Sequence, residues 1–338
     1  MNNVTNDLVF CTIFDSNYLD KGLVLYDSMC KYLTDFKLYV FAFDEKCYQI
    51  LKAENYENMI VVSLKDFESE ELLKIKMERT KAEYCWTCSS WTIRYVLDTY
   101  NENICTYIDA DMMFFSDPTS VFNDMRNNKC SIIIVPHRFE TEEEEQKAHD
   151  TVGSYCVQFN TFVNDDNGRK ALNWWTDKCL EWCYYTLPGT TEWYGDQKYL
   201  NLFPEMFEGV YICNHYGVGL APWNTKLVDL YSNNEIIVKK TNEIFPIVIY
   251  HYECVNHLTK HIINVSTVSG TKALNKVVYD PYVDLIVKKR KFLKEKYNYV
   301  IEQKHRELTN DFLLRLYHRY VSPIKRIRTL SNLYFVKE

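Results

Sequence analysis

The sequence predicts an α/β protein with a mixed, mostly parallel central sheet flanked by helices, extended at its C-terminus by basic helices. Three observations predict it. Short runs rich in Val, Ile, Phe and Tyr recur at residues 8–14, 38–43, 59–64, 104–108 and 131–135. Stretches with apolar residues at helical spacing separate them, and strands alternating with helices in this way build parallel sheets. Three of the runs close on carboxylates, Asp15, Asp44 and Asp109, at the strand edge where open α/β sheets bind ligands.

The elements follow in order. Residues 8–14 form a strand that ends at Asp15-Ser-Asn-Tyr18, and Leu19, Leu23, Tyr26, Met29 and Leu33 then repeat as one face of a helix. A second strand precedes a helix at 47–53, and a third strand spans 59–64. Arg79-Thr-Lys-Ala-Glu-Tyr84 leads into a long amphipathic helix through Tyr100. Ile104, Tyr107 and Ile108 suit a buried strand that stops at Asp109-Ala-Asp111. A helix at 121–126 and a strand at 131–135 come next. The acidic run Glu140 to Glu145 reads as a solvated loop or helix start, placed where a lid would sit. A strand lies within 153–164. A Trp-rich helix at 170–185 turns Leu172, Trp175, Cys179 and Trp182 toward the core. A further helix follows Asp196-Gln197, and Asp196 also suits its N-cap. The glycines of 214–224 mark a turn or close backbone approach, and 247–252 is an apolar strand ending in histidine.

Composition sets bounds. A chain of 338 residues, 47% apolar, has room for one large domain and an appendage. The net charge of −7 hides an asymmetry: residues 288–338 carry 14 Lys and Arg against 5 Asp and Glu, so the remainder is strongly acidic. We therefore divide the chain into a catalytic-type domain, 1–275, and a basic helical extension, 276–338. An acidic body is not expected to bind nucleic acid. Lys288-Lys-Arg-Lys291 and the segment 311–320 suit either an anionic membrane surface or helices packed on the domain. The first residues are polar and no apolar run approaches the roughly 18 residues of a membrane span, so a cytoplasmic protein, peripheral on the inner face of the membrane, is expected. The 12 cysteines scatter through apolar segments and read as buried thiols; Cys85 and Cys88 have redox-motif spacing, but lack the second pair that zinc requires.

Asp109 and Asp111, two apart, share one face of a plain strand. Two hard oxygen ligands there suit Mg²⁺ or Mn²⁺ held together with substrate phosphates; a solvated turn is the alternative, disfavoured by the apolar residues on both sides. The ordered set Asp15-Ser-Asn-Tyr18, Asp109-Ala-Asp111 with Phe114-Phe-Ser-Asp-Pro118, Phe159-Asn160, Asp196-Gln197, Trp223-Asn224 and His251 resembles the DxD-containing nucleotide-sugar glycosyltransferases of the GT-A (Rossmann-like) fold. Within these it is similar to the retaining group that includes glycogenin and the bacterial lipooligosaccharide galactosyltransferases, over about residues 8–260. The resemblance implies a Mn²⁺ or Mg²⁺ ion held by Asp109, Asp111 and, by order along the chain, His251 rather than His215. It implies donor contacts from Asp15, Asn17, Tyr18, Asp109 and Asn160, and a basic donor contact for which Arg79, Lys81 and Arg94 compete. It implies Asp196 as the catalytic carboxylate and Gln197 as its positioning partner. The pattern departs at two points. Cys85-Trp86 stands where a basic residue is usual, and Glu253-Cys-Val-Asn256 replaces the Gly and Lys that follow the histidine, leaving the distal phosphate without an assigned partner; His257 is a weaker candidate and Lys260 lies too far along. Plain structural roles compete: a helix cap for Asp15, a backbone-satisfying amide for Asn160.

The implied activity is transfer of a hexose from a UDP-linked donor to a glycan or lipid-linked acceptor, with retention, in cell-surface polysaccharide synthesis. Two other readings compete. A nucleotidyltransferase would want a Gly-rich basic loop after the first strand, which Phe14 to Leu19 is not. A non-catalytic carbohydrate-binding protein has no need of an intact Asp109/Asp111 pair.

Overall fold

The computed structural model describes residues 8–186, 190–253, 255–259, 262–265, 270–301 and 333–336. Its first eight strands are β1 (Leu8–Phe14), β2 (Phe36–Ala42), β3 (Met59–Ser63), β4 (Ile104–Ile108), β5 (Met112–Phe114), β6 (Ile132–Pro136), β7 (Tyr155–Val163) and β8 (Val210–Ile212). Seven of them form the central sheet, in the order β3-β2-β1-β4-β7-β6-β8. Neighbours are parallel except at β7, which runs against both β4 and β6. The mixed, mostly parallel sheet expected from the sequence is the one observed.

Helices cover both faces: α1 (Leu19–Tyr32), α2 (Glu45–Glu54), α3 (Leu64–Phe67), α4 (Glu70–Lys76), α5 (Lys81–Thr99), α6 (Thr119–Asn127), α7 (Glu142–Asp150), α8 (Asp166–Glu181), α9 (Phe203–Met206) and α10 (Lys272–Tyr297). The two-residue period of the strands sorts the core. Phe10 and Phe14 of β1 pack with Leu23 of α1, Ile50 of α2 and Phe122 of α6. Val9, Cys11 and Ile13 pack on the opposite face with Ile93 and Val96 of α5 and Trp175 of α8. All seven residues of β1 are buried, as a strand covered on both faces requires. The helix starts are chemically specified: Asp44, Thr141 and Asp165 each cap a first turn, and Thr80 with Glu83 forms a reciprocal capping box on α5.

A second layer carries the far side of the site. β9 (Val228–Ser232), β10 (Glu235–Val238) and β11 (Ile244–Pro246) form a meander, and β12 (Ile249–His251) pairs antiparallel with β5. That pairing sets His251 opposite Met112, and the Tyr252 amide donates to the Asp111 carbonyl at 2.8 Å. Residues 256–259, 262–264 and 333–335 add a small three-stranded sheet. α10 docks on β12 through aromatic residues: Tyr252 stacks on Tyr282 at 3.6 Å and Tyr250 bonds Tyr279 at 3.1 Å.

Some expectations shift. The acidic run is a helix start, since Thr141 caps α7 and Lys226 reaches Glu140 and Glu144. Asp196 caps no helix: the turn that follows begins at Lys198, after Gln197, without a side-chain cap. Trp182 lies beyond α8 in extended backbone. In α10 the cations pair with the body of the protein, Lys289 with Asp27, Arg290 with Asp20 and Lys296 with Glu54. Of the two readings of the basic extension, this part shows packing on the domain; 311–320 lies outside the described residues. Among the described residues no helix is long and apolar enough to cross a membrane.

Candidate active site

The carboxyl ends of β1 and β4 open onto one space. β4 ends at Ile108, which delivers Asp109 and Asp111 there. β5 then turns back along β12, which delivers His251. Its Nε2 lies 3.2 Å from Asp111 Oδ1 and 3.7 Å from Asp109 Oδ2. Alternation along β12 does the aiming: Tyr250 and Tyr252 point to α10, so His251 between them points the other way. Its other ring nitrogen meets Gln158 Oε1 at 2.9 Å. With Gln158 Oε1 accepting there, Nδ1 keeps its proton and Nε2 is the nitrogen turned to the carboxylates. Gln158 is itself supported by the Gly219 carbonyl at 3.5 Å. Gly219 has φ +81, and a Cβ there would stand 2.4 Å from Val135 Cγ1, so no other residue fits this turn.

The charges strain one another. Burial foremost, with Asp111 close by, pushes the Asp109 carboxyl up to about 7 although His251 opposes. Burial works to raise Asp111 too, but His251 and Lys21 outweigh it and hold it below the usual carboxylate range. Burial disfavours the His251 cation, yet Asp111 and Asp109 raise it well above the usual imidazole value. Among the described residues, no three such side chains already stand at coordination distance about one point; the three form an ion-paired cluster. They fit a divalent cation nonetheless. Adjacent ligands of an octahedral ion with bonds of about 2.1 Å lie about 3 Å apart, close to the spacing between His251 and Asp111, and an ion that displaces the Nε2 proton would take the imidazole nitrogen as its ligand.

β7 lines the floor. Gln158 and Asn160, two apart, share a face, and Asn160 stands opposite Tyr107 of β4. Asn160 is fully buried with both side-chain atoms unpartnered. This excludes its role as a backbone-satisfying amide and leaves its hydrogen-bonding capacity unspent. Asp196 lies within electrostatic reach of Asp109. Gly195, at φ +52, packs on the Trp86 ring; the Asp196 carbonyl accepts from Trp175 Nε1 at 2.9 Å and its carboxylate from Ser89 Oγ at 2.6 Å. Burial first, and Asp109 after it, push Asp196 up to about 7 against the Ser89 hydrogen bond.

The β1 end is a separate cluster. Asp15 accepts from the Asn17 amide at 3.0 Å and from Lys81 Nζ, so it caps its own turn and pairs with α5 at once. Lys81, Cys85 and Ser89, four apart on α5, make one helix face running from Asp15 toward Asp196. Tyr18 is 42% exposed and its ring lies under Lys21 Nζ at 4.0 Å.

Other expected residues are engaged elsewhere. Arg79 is buried and donates to Thr87 and to the carbonyls of Cys179 and Leu180 at 2.8 and 2.7 Å, closing the end of α8. Arg94 pairs with Asp98. The Gln197 amide donates to the Val152 carbonyl at 2.8 Å. Trp223 packs edge-on to His251, 5.6 Å between centroids. His257 shows a depressed value of about 4, from burial and then Arg290. Three residues were missed: Lys21, Gln158 and Ser89. Gln158 had a signal, two positions before Asn160 in one strand. Lys21 and Ser89 had none beyond lying on helices that start at the site.

No family model matches the chain. It is similar to two proteins of Bacillus subtilis (strain 168). "Uncharacterized protein YfnD" is 28% identical over 278 residues, 81% of this chain and 87% of that one. "Uncharacterized protein YfnF" is 29% identical over 250 residues, 72% and 80% respectively. Among solved structures it is similar to the galactosyltransferase LgtC in complex with donor and acceptor sugar analogues, at 12% identity, 83% of this chain, 95% of that one and TM-score 0.49. It is also similar to apo mouse xyloside xylosyltransferase 1, at 11% identity, 73% and 98% coverage and TM-score 0.46.

Proposed function

We propose that the chain is a divalent-metal-dependent glycosyltransferase of GT-A type that moves a hexose from a nucleotide-diphosphate sugar, UDP-linked by preference, to a glycan or lipid-linked acceptor with retention. The observation that carries this reading is the convergence of Asp109, Asp111 and His251 at the carboxyl edge of the sheet, with the buried Asp196 within electrostatic reach of Asp109.

Asp109, Asp111 and His251 would hold a Mn²⁺ or Mg²⁺ ion. When bound, that ion supplies Lewis-acid neutralisation of the departing diphosphate. Gln158 keeps His251 Nε2 aimed inward. Asp15 and Asn17 offer acceptor and donor groups for the nucleoside, with Lys81 balancing the Asp15 charge. Asn160 offers an amide that can both donate to and accept from sugar hydroxyls. Asp196, fixed by Ser89 and Trp175, presents a carboxylate to the oxocarbenium-like carbon that develops as the glycosidic bond breaks. With its carboxyl near 7, Asp196 does this once ionised, so it works better above neutral pH than below.

Isothermal titration of uridine, guanosine, adenosine and cytidine diphosphates, with and without Mn²⁺, tests the reading. Wild type should bind one of them in a metal-dependent way, and Asp111→Asn should lose that binding. Binding to none, or binding indifferent to Mn²⁺ and to Asp111, overturns it.

A further inference from the structure

Lys21 is absorbed by no role given above. It lies in the first turn of α1 with its side chain 13% exposed, and its Nζ is 3.8 Å from Asp111 Oδ2. That is an ion pair too long for a hydrogen bond. The neighbouring carboxylate on its own helix, Asp20, is taken by Arg290 Nε at 2.6 Å. The other Asp111 oxygen faces His251. Its other neighbours are Tyr18, whose ring lies 4.0 Å from Nζ and whose hydroxyl also bonds it, and His257, whose cation it disfavours; the hydroxyl of Tyr282 is within electrostatic reach of the same Asp111, Asp20 and Tyr18. That hydroxyl is buried without a hydrogen-bond partner. Once Asp109 and Asp111 are neutralised by a divalent ion, Lys21 is a nearly buried ammonium left with the neutral Tyr18 side chain and no anion of its own. A buried cation demands an anion.

We propose that Lys21 grips the distal phosphate of the donor, the one that bears the sugar, with Tyr282 completing the pocket. This supplies from α1 the contact that Glu253 to Asn256 cannot supply after His251. The inference rests on the nucleotide-sugar reading. It makes Lys21 specific for the second phosphate: a nucleoside monophosphate has nothing there to hold.

The test is calorimetry on the full chain in Mn²⁺ with uridine diphosphate and uridine monophosphate, for wild type, Lys21→Met and Lys21→Arg. A charge-assisted contact is expected to be worth about 10- to 100-fold in affinity. Lys21→Met should lose that much for the diphosphate and stay within about twofold for the monophosphate, with Lys21→Arg recovering most of the loss. Equal losses for both nucleotides, or none, overturn the inference while leaving metal-dependent binding intact. A wild type that binds neither nucleotide overturns the UDP-linked form of that reading, and the comparison is then run with the diphosphate and monophosphate of whichever nucleoside diphosphate wild type binds. Should Lys21→Met not melt cooperatively, Lys21→Gln and Lys21→Arg carry the same comparison, and equal diphosphate affinity in both has the same force against it.

Discussion

Arg138 and Lys21 are both buried cations, and the protein treats them in opposite ways. Arg138, in the loop after β6, donates to the carbonyls of Val218 and Cys213 at 2.8 Å and of His215 at 3.2 Å, and lies over the Tyr216 ring. Its donors are spent on backbone carbonyls, so it builds the wall behind the site. Lys21 has one long ion pair and the Tyr18 side chain. A weaker form of the contrast separates Arg79, two of whose nitrogens bond the end of α8 while its Nε has no partner, from Asn160, whose side chain bonds to nothing. Burial alone does not tell structure from function in this molecule. What tells them apart is whether the polar capacity is used up, because an unmet buried group costs stability unless a ligand completes it.

The contrast can be broken from either side. The largest effect is expected for Asp111→Asn. Sugar-transfer rate should fall on the order of 10³-fold, with a smaller loss of melting temperature than any Arg138 variant shows; a rate within about tenfold of wild type would remove Asp111 from the metal set. Arg138→Met should do the reverse, destabilising the fold by about 3–5 kcal/mol through stranded carbonyls, read as a lower urea midpoint. A midpoint near wild type would mean that the wall does not depend on it.

The wall also predicts a pH dependence. Burial, and then the Arg138 charge, lower His215 from its ordinary 6.5 to about 4. Below pH 6.5 the unfolded chain takes up a proton that the folded chain refuses until about pH 4. The stability present above pH 6.5 is therefore lost as pH falls through that window, by about 3 kcal/mol. Urea titrations of wild type and His215→Asn at pH 7.5 and 4.5 should show the shallower decline in the variant; parallel declines would assign the acid sensitivity to other groups. The smallest effect is expected for the stability of Asn160→Leu. No hydrogen bond is lost, so unfolding free energy should stay level or rise by up to about 1 kcal/mol, while affinity for a nucleotide sugar falls about tenfold. A destabilised Leu variant would show that Asn160 is satisfied after all.

Much of this was legible in the sequence. The apolar run of β1 and the helical period of α1 and α5 are local patterns, and local patterns need no distant partner to be read. Asp109 and Asp111 were found because apolar residues on both sides made a solvated turn improbable. The sequence Tyr250-His-Tyr252 carries its own instruction, since alternation must send the histidine away from its two neighbours.

Tertiary structure decided the rest. That Arg79 is spent on Cys179 and Leu180 while Lys21 faces Asp111 depends on how α8 and α1 dock against the sheet, and neither residue differs from any other basic residue in its own neighbourhood. Ser89 reaches Asp196, and Gln158 reaches His251, across long stretches of chain whose register is fixed by packing. The sequence by itself determined the elements, the carboxylates at the sheet edge and the aim of His251, because periodicity is a property of a few consecutive residues. Only the fold determined which buried polar groups are satisfied, because satisfaction is a property of pairs that the chain brings together from far apart.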